Sequence, residues 1–454
     1  MSKNIKLKKG FEINLKGKAQ DSISEEIKPD TFALKPTDFP GVQRGKVMVN
    51  VGDVVKAGTP VFYDKTMEEV MYASPVSGEV VEIRRGAKRK LLEVVVLADK
   101  EIEYEDFGKV SPSDLHSISS EDIKSKIQKS GVWPNIIQRP YGIVANPDDS
   151  PKSIFISAFD THPLAPEAAN LFKGDGKYFQ TGVEILKKLT QGFVHVNLKA
   201  NSEVPQVFAN AQGAQVNKIS GVHPAGNVGI QIHHIDPINK GEIVWTISPF
   251  GVIQIGKLFA EGIYDASKVI ALTGSEVSNP QYYKTFSGAG VKKFVSGTLS
   301  GSHYRIISGN VLTGEKVEEP GHIGFYSNQL TVIPEGDYHE LFGWILPSTK
   351  KLSFHRGLGL LSFLNPGKEY VLDTNVHGEE RAFVNTGNFE KVTPMDIFPT
   401  YLLKAILAED YDEMEALGIY EVIEEDLALC EFIDVSKHDV QAIVREGIDL
   451  MIHS

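Results

Sequence analysis

The sequence predicts a multidomain α/β protein that opens with a compact β-module and closes with helices. Three observations predict it. Two short runs of alternating apolar residues, Val47 to Lys65 and Ala73 to Ile83, are punctuated by turns at Gly52-Asp53, Ala57-Gly58 and Pro75 to Gly78, the pattern of small strands in a tight β-unit. Between about residues 101 and 265, apolar strand-like runs alternate with helical ones, which points to a layer of parallel strands. From Pro399 onward the apolar residues recur at helical spacing.

Each part follows in chain order. The β-module resembles the two halves of a biotinyl/lipoyl-type barrel-sandwich domain, and with its N-terminal extension it is expected to span 1–100. Carriers of that family hold a modified lysine on the hairpin between the halves. Here that position falls on Met67, with Lys65 two residues away, so the module reads as a packing or docking unit rather than a carrier. The α/β domain is expected over 101–265. Ser119-Ser-Glu-Asp caps a helix over 121–130, Ser153–Phe159 and Phe193–Leu198 read as strands, and 182–189 and 252–260 as helices. Pro205–Ala211 is a helix or a turn. A further strand, Lys268–Thr273, enters a mixed β domain over 266–390, with short strands and glycine turns through Ile306–Gly314 and Gln329–Pro334. A hairpin is expected from Glu340–Leu346 and Lys351–His355, joined by Pro347 to Lys350. Helices at 401–409, 410–417, 424–432 and 436–452 make a C-terminal helical domain, 391–454.

Composition narrows the chemistry. At 454 residues and 41% hydrophobic, the chain has ample core material for several domains. Its single cysteine, Cys430, excludes a disulfide framework and any four-cysteine zinc or iron–sulfur site, and it reads as a buried helix residue. The net charge of −12 comes largely from Glu409 to Asp434, which holds eleven acids and no Lys or Arg. The opposite pole is Arg84, Arg85, Lys88, Arg89 and Lys90. That run is either a solvated loop or a docking site for an anionic membrane surface or acidic partner. Nucleic acid is not an expected partner of an acidic chain without an aromatic-basic stripe. No apolar run reaches the roughly 20 residues of a membrane helix, and no signal-peptide pattern is present, so a cytoplasmic location is expected.

Several residues invite chemical roles. Asp160-Thr-His162-Pro follows a buried strand, where α/β sheets place ligands; it is equally a helix-capping turn. His223-Pro224 reads as a turn leading into a strand-like run, Gly229-Ile-Gln-Ile-His-His, in which His233 and His234 would point to opposite faces. That arrangement disfavours a metal site, and no metal is expected.

Taken in order, Val51–Gly58, Arg85–Arg89, Ser130–Pro134 with Arg139-Pro140, Phe159–Ala165, Gly221–Gly226, Ile306–Gly314, Glu340–Trp344 and Glu424–Cys430 make the chain resemble, over essentially its whole length, the A-subunit family of the sodium-translocating NADH:quinone oxidoreductase. The resemblance implies a respiratory complex of this chain and five other subunits. That complex passes electrons from NADH through FAD, FMN, riboflavin and iron–sulfur centres to a ubiquinone- or menaquinone-type quinone, and pumps sodium ions outward. It further implies a peripheral subunit on the cytoplasmic face of the bacterial inner membrane. A more distant likeness, to the flavin and iron–sulfur subunits of complex I, implies a Rossmann-like α/β domain, a β-grasp-like (SLBB) domain and a helical cluster domain; a flavin- or NADH-binding subunit of that type is the alternative reading. The departures argue against it. Bulky Trp133 and Pro134 stand where a flavin phosphate needs converging backbone N–H groups, Asp160-Thr-His-Pro replaces an acidic turn, and one cysteine is too few for a cluster. No redox cofactor is therefore expected on this chain. The emptied flavin crevice becomes a candidate quinone pocket, with Trp133 as a stacking face or merely a filler of the lost cofactor's space, Arg139 as a donor, and His162 and His223 as neighbours.

Overall fold

The computed structural model describes residues 2–453 except 24–26, 173, 203, 344, 355–363 and 366. The turn-punctuated runs fold as expected into two facing antiparallel sheets. One contains Thr31–Leu34, Leu91–Ala98, Gly78–Arg85 and Val54–Val55; the other contains Gly45–Val47, Pro60–Asp64 and Met67–Ala73. Phe32, Phe62, Val70, Tyr72, Val80 and Val96 fill the space between them. The corner at Gly78 admits no side chain: its φ is +149°, and a Cβ would lie 1.9 Å from the Leu97 carbonyl oxygen. The N-terminal extension leaves this module. Its strand Asn4–Lys6 instead pairs in parallel with Lys218 to Ser220 at the edge of the α/β sheet, because an alternating run beside an open parallel edge completes its backbone hydrogen bonds there.

The α/β sheet has seven strands in the order Asn4–Lys6, Gln215–Ser220, Phe193–Lys199, Ser153–Ser157, Val244–Ile247, Ile136–Arg139, Ile143–Val144. The first five are parallel and the last two antiparallel. Chain order runs from Ser153–Ser157 outward in one direction, then returns to its other side with Val244–Ile247, so a topological switch point lies between those two strands. The helix Ser120–Lys129 starts at the Ser119 cap, whose side chain accepts from the Asp122 amide. Helices Gly176–Lys187 and Pro249–Glu261 begin upstream of their expected starts at 182 and 252. They cross closely at two glycines, where a Cβ on Gly182 would lie 2.1 Å from the Val252 carbonyl oxygen and one on Gly256 1.9 Å from that of Tyr178.

One sequence expectation is overturned here. Val228–Ile235 is a helix, not a strand. Ile230, Ile232 and Ile235 are all buried against the sheet and the C-terminal helices, and a short segment buried nearly all round carries no period that separates helix from strand.

The next sheet has five strands, ordered Gln281–Phe286, Ser267–Thr273, Gln329–Pro334, Tyr304–Ser308, Glu315–Lys316. The short strand and glycine turn expected through Ile306–Gly314 are Tyr304–Ser308 and the turn at Gly309. Over 340–354 the described residues form turns and no strand, so the expected hairpin is absent there; Trp344 and His355 lie outside the described residues. The C-terminal helices are Pro399–Leu407, Tyr411–Ala416, Glu424–Ile433 and Val440–His453. Their apolar faces share a core with Leu7, Phe155, Ile219 and Ile230 of the α/β domain. Cys430 lies in that core, and burial pushes its thiol up to about 12. Among the described residues no helix is long and apolar enough to cross a membrane.

Candidate functional site

A cleft of about 280 Å³ opens at the switch point, at the C-terminal ends of Ser153–Ser157 and Val244–Ile247, where open α/β sheets receive ligands. Its walls are mostly apolar, with Ile137, Phe159, Leu171, Phe172, Val228 and Ile247. Tyr326 and Asn328 from the five-stranded domain and Glu425 from the C-terminal helices also reach it. Three domains therefore build one pocket.

His162 is the only one of the four sequence-nominated pocket residues that lines it. The turn after Ser157 wraps so that Asp160 Oδ1 accepts from both the His162 amide, at 2.8 Å, and its Nδ1, at 2.5 Å. Desolvation by the surrounding protein opposes ionisation of both groups, although the Asp160 side chain stays partly exposed. The ion pair and its hydrogen bonds prevail, holding the Asp160 carboxyl down to about 2 and raising the His162 imidazole. His223 sits behind it, ring centroids 4.6 Å apart, with Nδ1 3.2 Å from the Thr161 hydroxyl, which accepts from the Gly226 amide. Burial, with the neighbouring His162 charge, pushes His223 down to about 3. The two rings are thus tuned in opposite directions, His162 toward its charged form and His223 toward its neutral one.

This tuning has a pH signature. A histidine depressed in the folded state contributes stability that is present above its unfolded value of 6.5 and is lost as pH falls toward 3. The raised His162 behaves oppositely, its contribution being complete below 6.5. Between about pH 6.5 and 4, therefore, His223→Asn should flatten the loss of unfolding free energy by up to about 1.4 kcal/mol per pH unit relative to the parent chain, as read from urea titrations at stepped pH.

Arg139 and Trp133 stand elsewhere. Trp133 is fully buried; its indole Nε1–H donates to the Ala145 carbonyl at 2.7 Å and its ring meets Trp245 edge-on. It does not line the cleft, so it offers no stacking surface there. A Cβ on the adjacent Gly131 would lie 2.4 Å from the Ala73 side chain, so this glycine serves domain contact. Arg139, also buried, is spent on protein: Nη1 donates to Asp426 Oδ2 and Nη2 to Glu425 Oε1, each at 2.7 Å. Sequence reasoning missed those two acids. The signal available was the Glu424-Glu425-Asp426 run opening a helix, although nothing local says what it pairs with.

His233 and His234 are likewise committed, His233 to Glu421 and the Asp396 amide, His234 to the Pro394 carbonyl. In the basic hairpin, Arg84 pairs with Glu82 and Glu93 on its own sheet, so it is not a free docking charge. Arg85, Lys88 and Arg89 are exposed around a turn in which Lys88 and Arg89 take positive φ.

A barrel-sandwich module, a doubly wound α/β domain with a cleft at its switch point, a β-grasp-like sheet and a helical tail together define the class: a multidomain α/β protein with a ligand-sized cleft between its domains. Three family models match in that order: the NqrA N-terminal barrel-sandwich hybrid domain over 5–99, the NqrA second alpha/beta domain over 118–264, and the NQRA C-terminal (SLBB) domain over 269–319. Relatives named as the A-subunit of Na(+)-translocating NADH-quinone reductase include those of Alcanivorax borkumensis, 38% identical, Hahella chejuensis, 37%, and Neisseria meningitidis, 36%, each alignment covering 98% of both chains. The chain belongs to this NqrA family.

Proposed function

We propose that the chain works as the peripheral NqrA component of a sodium-translocating NADH:quinone reductase, on the cytoplasmic face of the membrane, and that its switch-point cleft receives the quinone. The observation that carries the reading is end-to-end similarity to proteins so named, at 38% identity over 98% of the chain. The cleft adds chemical support: apolar walls suit a quinone ring, and His162 supplies a polar end. NADH, flavins and iron–sulfur centres are assigned to the five partner subunits, consistent with Trp133 and Gly131 being packed against protein in the segment a flavin phosphate would need.

Purification of the native complex from membranes should bring the partner subunits down with this chain. A photoreactive quinone analogue should then label Ser157 to Pro166 or Gly226 to Val228; labelling confined to other subunits removes the pocket. A stoichiometric flavin spectrum on the purified chain would overturn the cofactor-free assignment. The basic hairpin is proposed as the contact with membrane subunits or anionic lipid. Neutralising Arg85, Lys88 and Arg89 together should weaken association by on the order of 1 kcal/mol per charge with the melting curve unchanged, and co-purification at physiological salt that matches the parent would discard that role.

A further inference from the structure

Two residues of the cleft wall carry buried polar atoms of different kind, neither with a protein partner. His162 Nε2 is one; with Nδ1 tied to Asp160, Nε2 carries an N–H donor when the ring is protonated, the form that the Asp160 carboxylate favours. Asn227 Oδ1 is the other. Asn227 is 2% exposed and lines the cleft, and its Nδ2 donates to the Glu425 carbonyl at 2.8 Å, which fixes the amide orientation and leaves Oδ1 as an acceptor only. Three further polar side chains of the wall are engaged: Ser248 accepts from the Gly251 amide, Tyr326 donates to the Pro134 carbonyl, and Asn135 donates to Val132 and Gln254. Buried polar atoms left without partners mark what a ligand must supply.

We propose that the cleft binds the reduced, dihydroxy form of its ring ligand in preference to the dicarbonyl form. This rests on the quinone reading above and extends it. A carbonyl oxygen only accepts, so a quinone satisfies His162 and leaves Asn227 Oδ1 unpaired. A hydroquinone oxygen accepts from His162 while a hydroxyl proton is donated to Asn227, through one hydroxyl or both. A site built for a hydroxyl discriminates against the analogue that lacks the proton, because its own buried acceptor is then stranded.

The test uses the purified full-length chain with ubiquinone-1, and with ubiquinol-1 kept reduced under anaerobic conditions, their dissociation constants measured by equilibrium dialysis. The quinol should bind about tenfold more tightly. Asn227→Ala should abolish the preference with quinone affinity nearly unchanged, whereas His162→Phe should weaken both forms. Should Asn227→Ala fail to fold, the dimethyl ether of ubiquinol-1 tests the parent chain directly: having no hydroxyl proton, it should lose the quinol's advantage. Equal affinities, or tighter binding of the quinone, overturn the preference while leaving the pocket standing. Binding of neither form overturns the quinone reading itself.

Discussion

Replacing Arg139 by Met should cost the folded protein about 3–5 kcal/mol, the largest effect expected of any single polar substitution near the cleft. The guanidinium is buried at the end of Ile136–Arg139 and holds two carboxylates from a helix 286 and 287 residues further along the chain. Burial works against its charge, but Asp426 and Glu425 outweigh that and keep its pKa raised. Asp426 is also buried, and its Oδ2 accepts from the Ile423 amide, capping the helix Glu424–Ile433. Methionine preserves much of the side-chain volume while leaving that carboxylate unpaired, which is the costly way to break a buried pair. The double change Arg139→Met with Asp426→Leu should recover part of the loss, since removing both partners leaves no stranded charge. Chemical denaturation of the four proteins of this cycle measures both numbers. A single-variant cost below about 1 kcal/mol would mean that the pair behaves as a solvated surface bridge. Loss of this clamp should also loosen the cleft, because Glu425 forms part of its wall.

Trp133→Ala should destabilise by a similar amount, about 3–5 kcal/mol, through a different term. The ring fills the space between the α/β sheet and the β-module, meeting Trp245 at 5.5 Å between centroids, and truncation leaves a cavity that close-packed neighbours fill only partly. Trp133→Phe keeps most of the ring but strands the Ala145 carbonyl, so about 1–3 kcal/mol is expected. Thermal and urea unfolding of both variants test this ordering. At temperatures where the variants remain folded, ligand affinity at the switch-point cleft should stay close to that of the parent chain, because Trp133 does not line it. A selective loss of quinone binding by folded Trp133→Phe would instead reinstate the indole as a binding group.

Much of the architecture was legible in the residues alone. Turn glycines and alternating apolar runs specify the β-module because each strand is short and its reversals demand particular backbone geometry. Ser119 marks its helix because an N-cap is a local hydrogen bond. The C-terminal helices declare themselves because one face of each is wet and the other dry. Ordered family motifs carried the identity of the whole. Tertiary structure alone decided the rest. Val228–Ile235 became a helix because burial nearly all round erases the period that would have announced it. The N-terminal extension left its own module because an open sheet edge lies elsewhere. Arg139 was consumed by Asp426, and His162 met His223 across the fold, since charge pairing and imidazole tuning depend on distances in space. Composition and local pattern therefore determined which domains form. Which side chains face the cleft, and in what protonation state, was set by how three of those domains close around it.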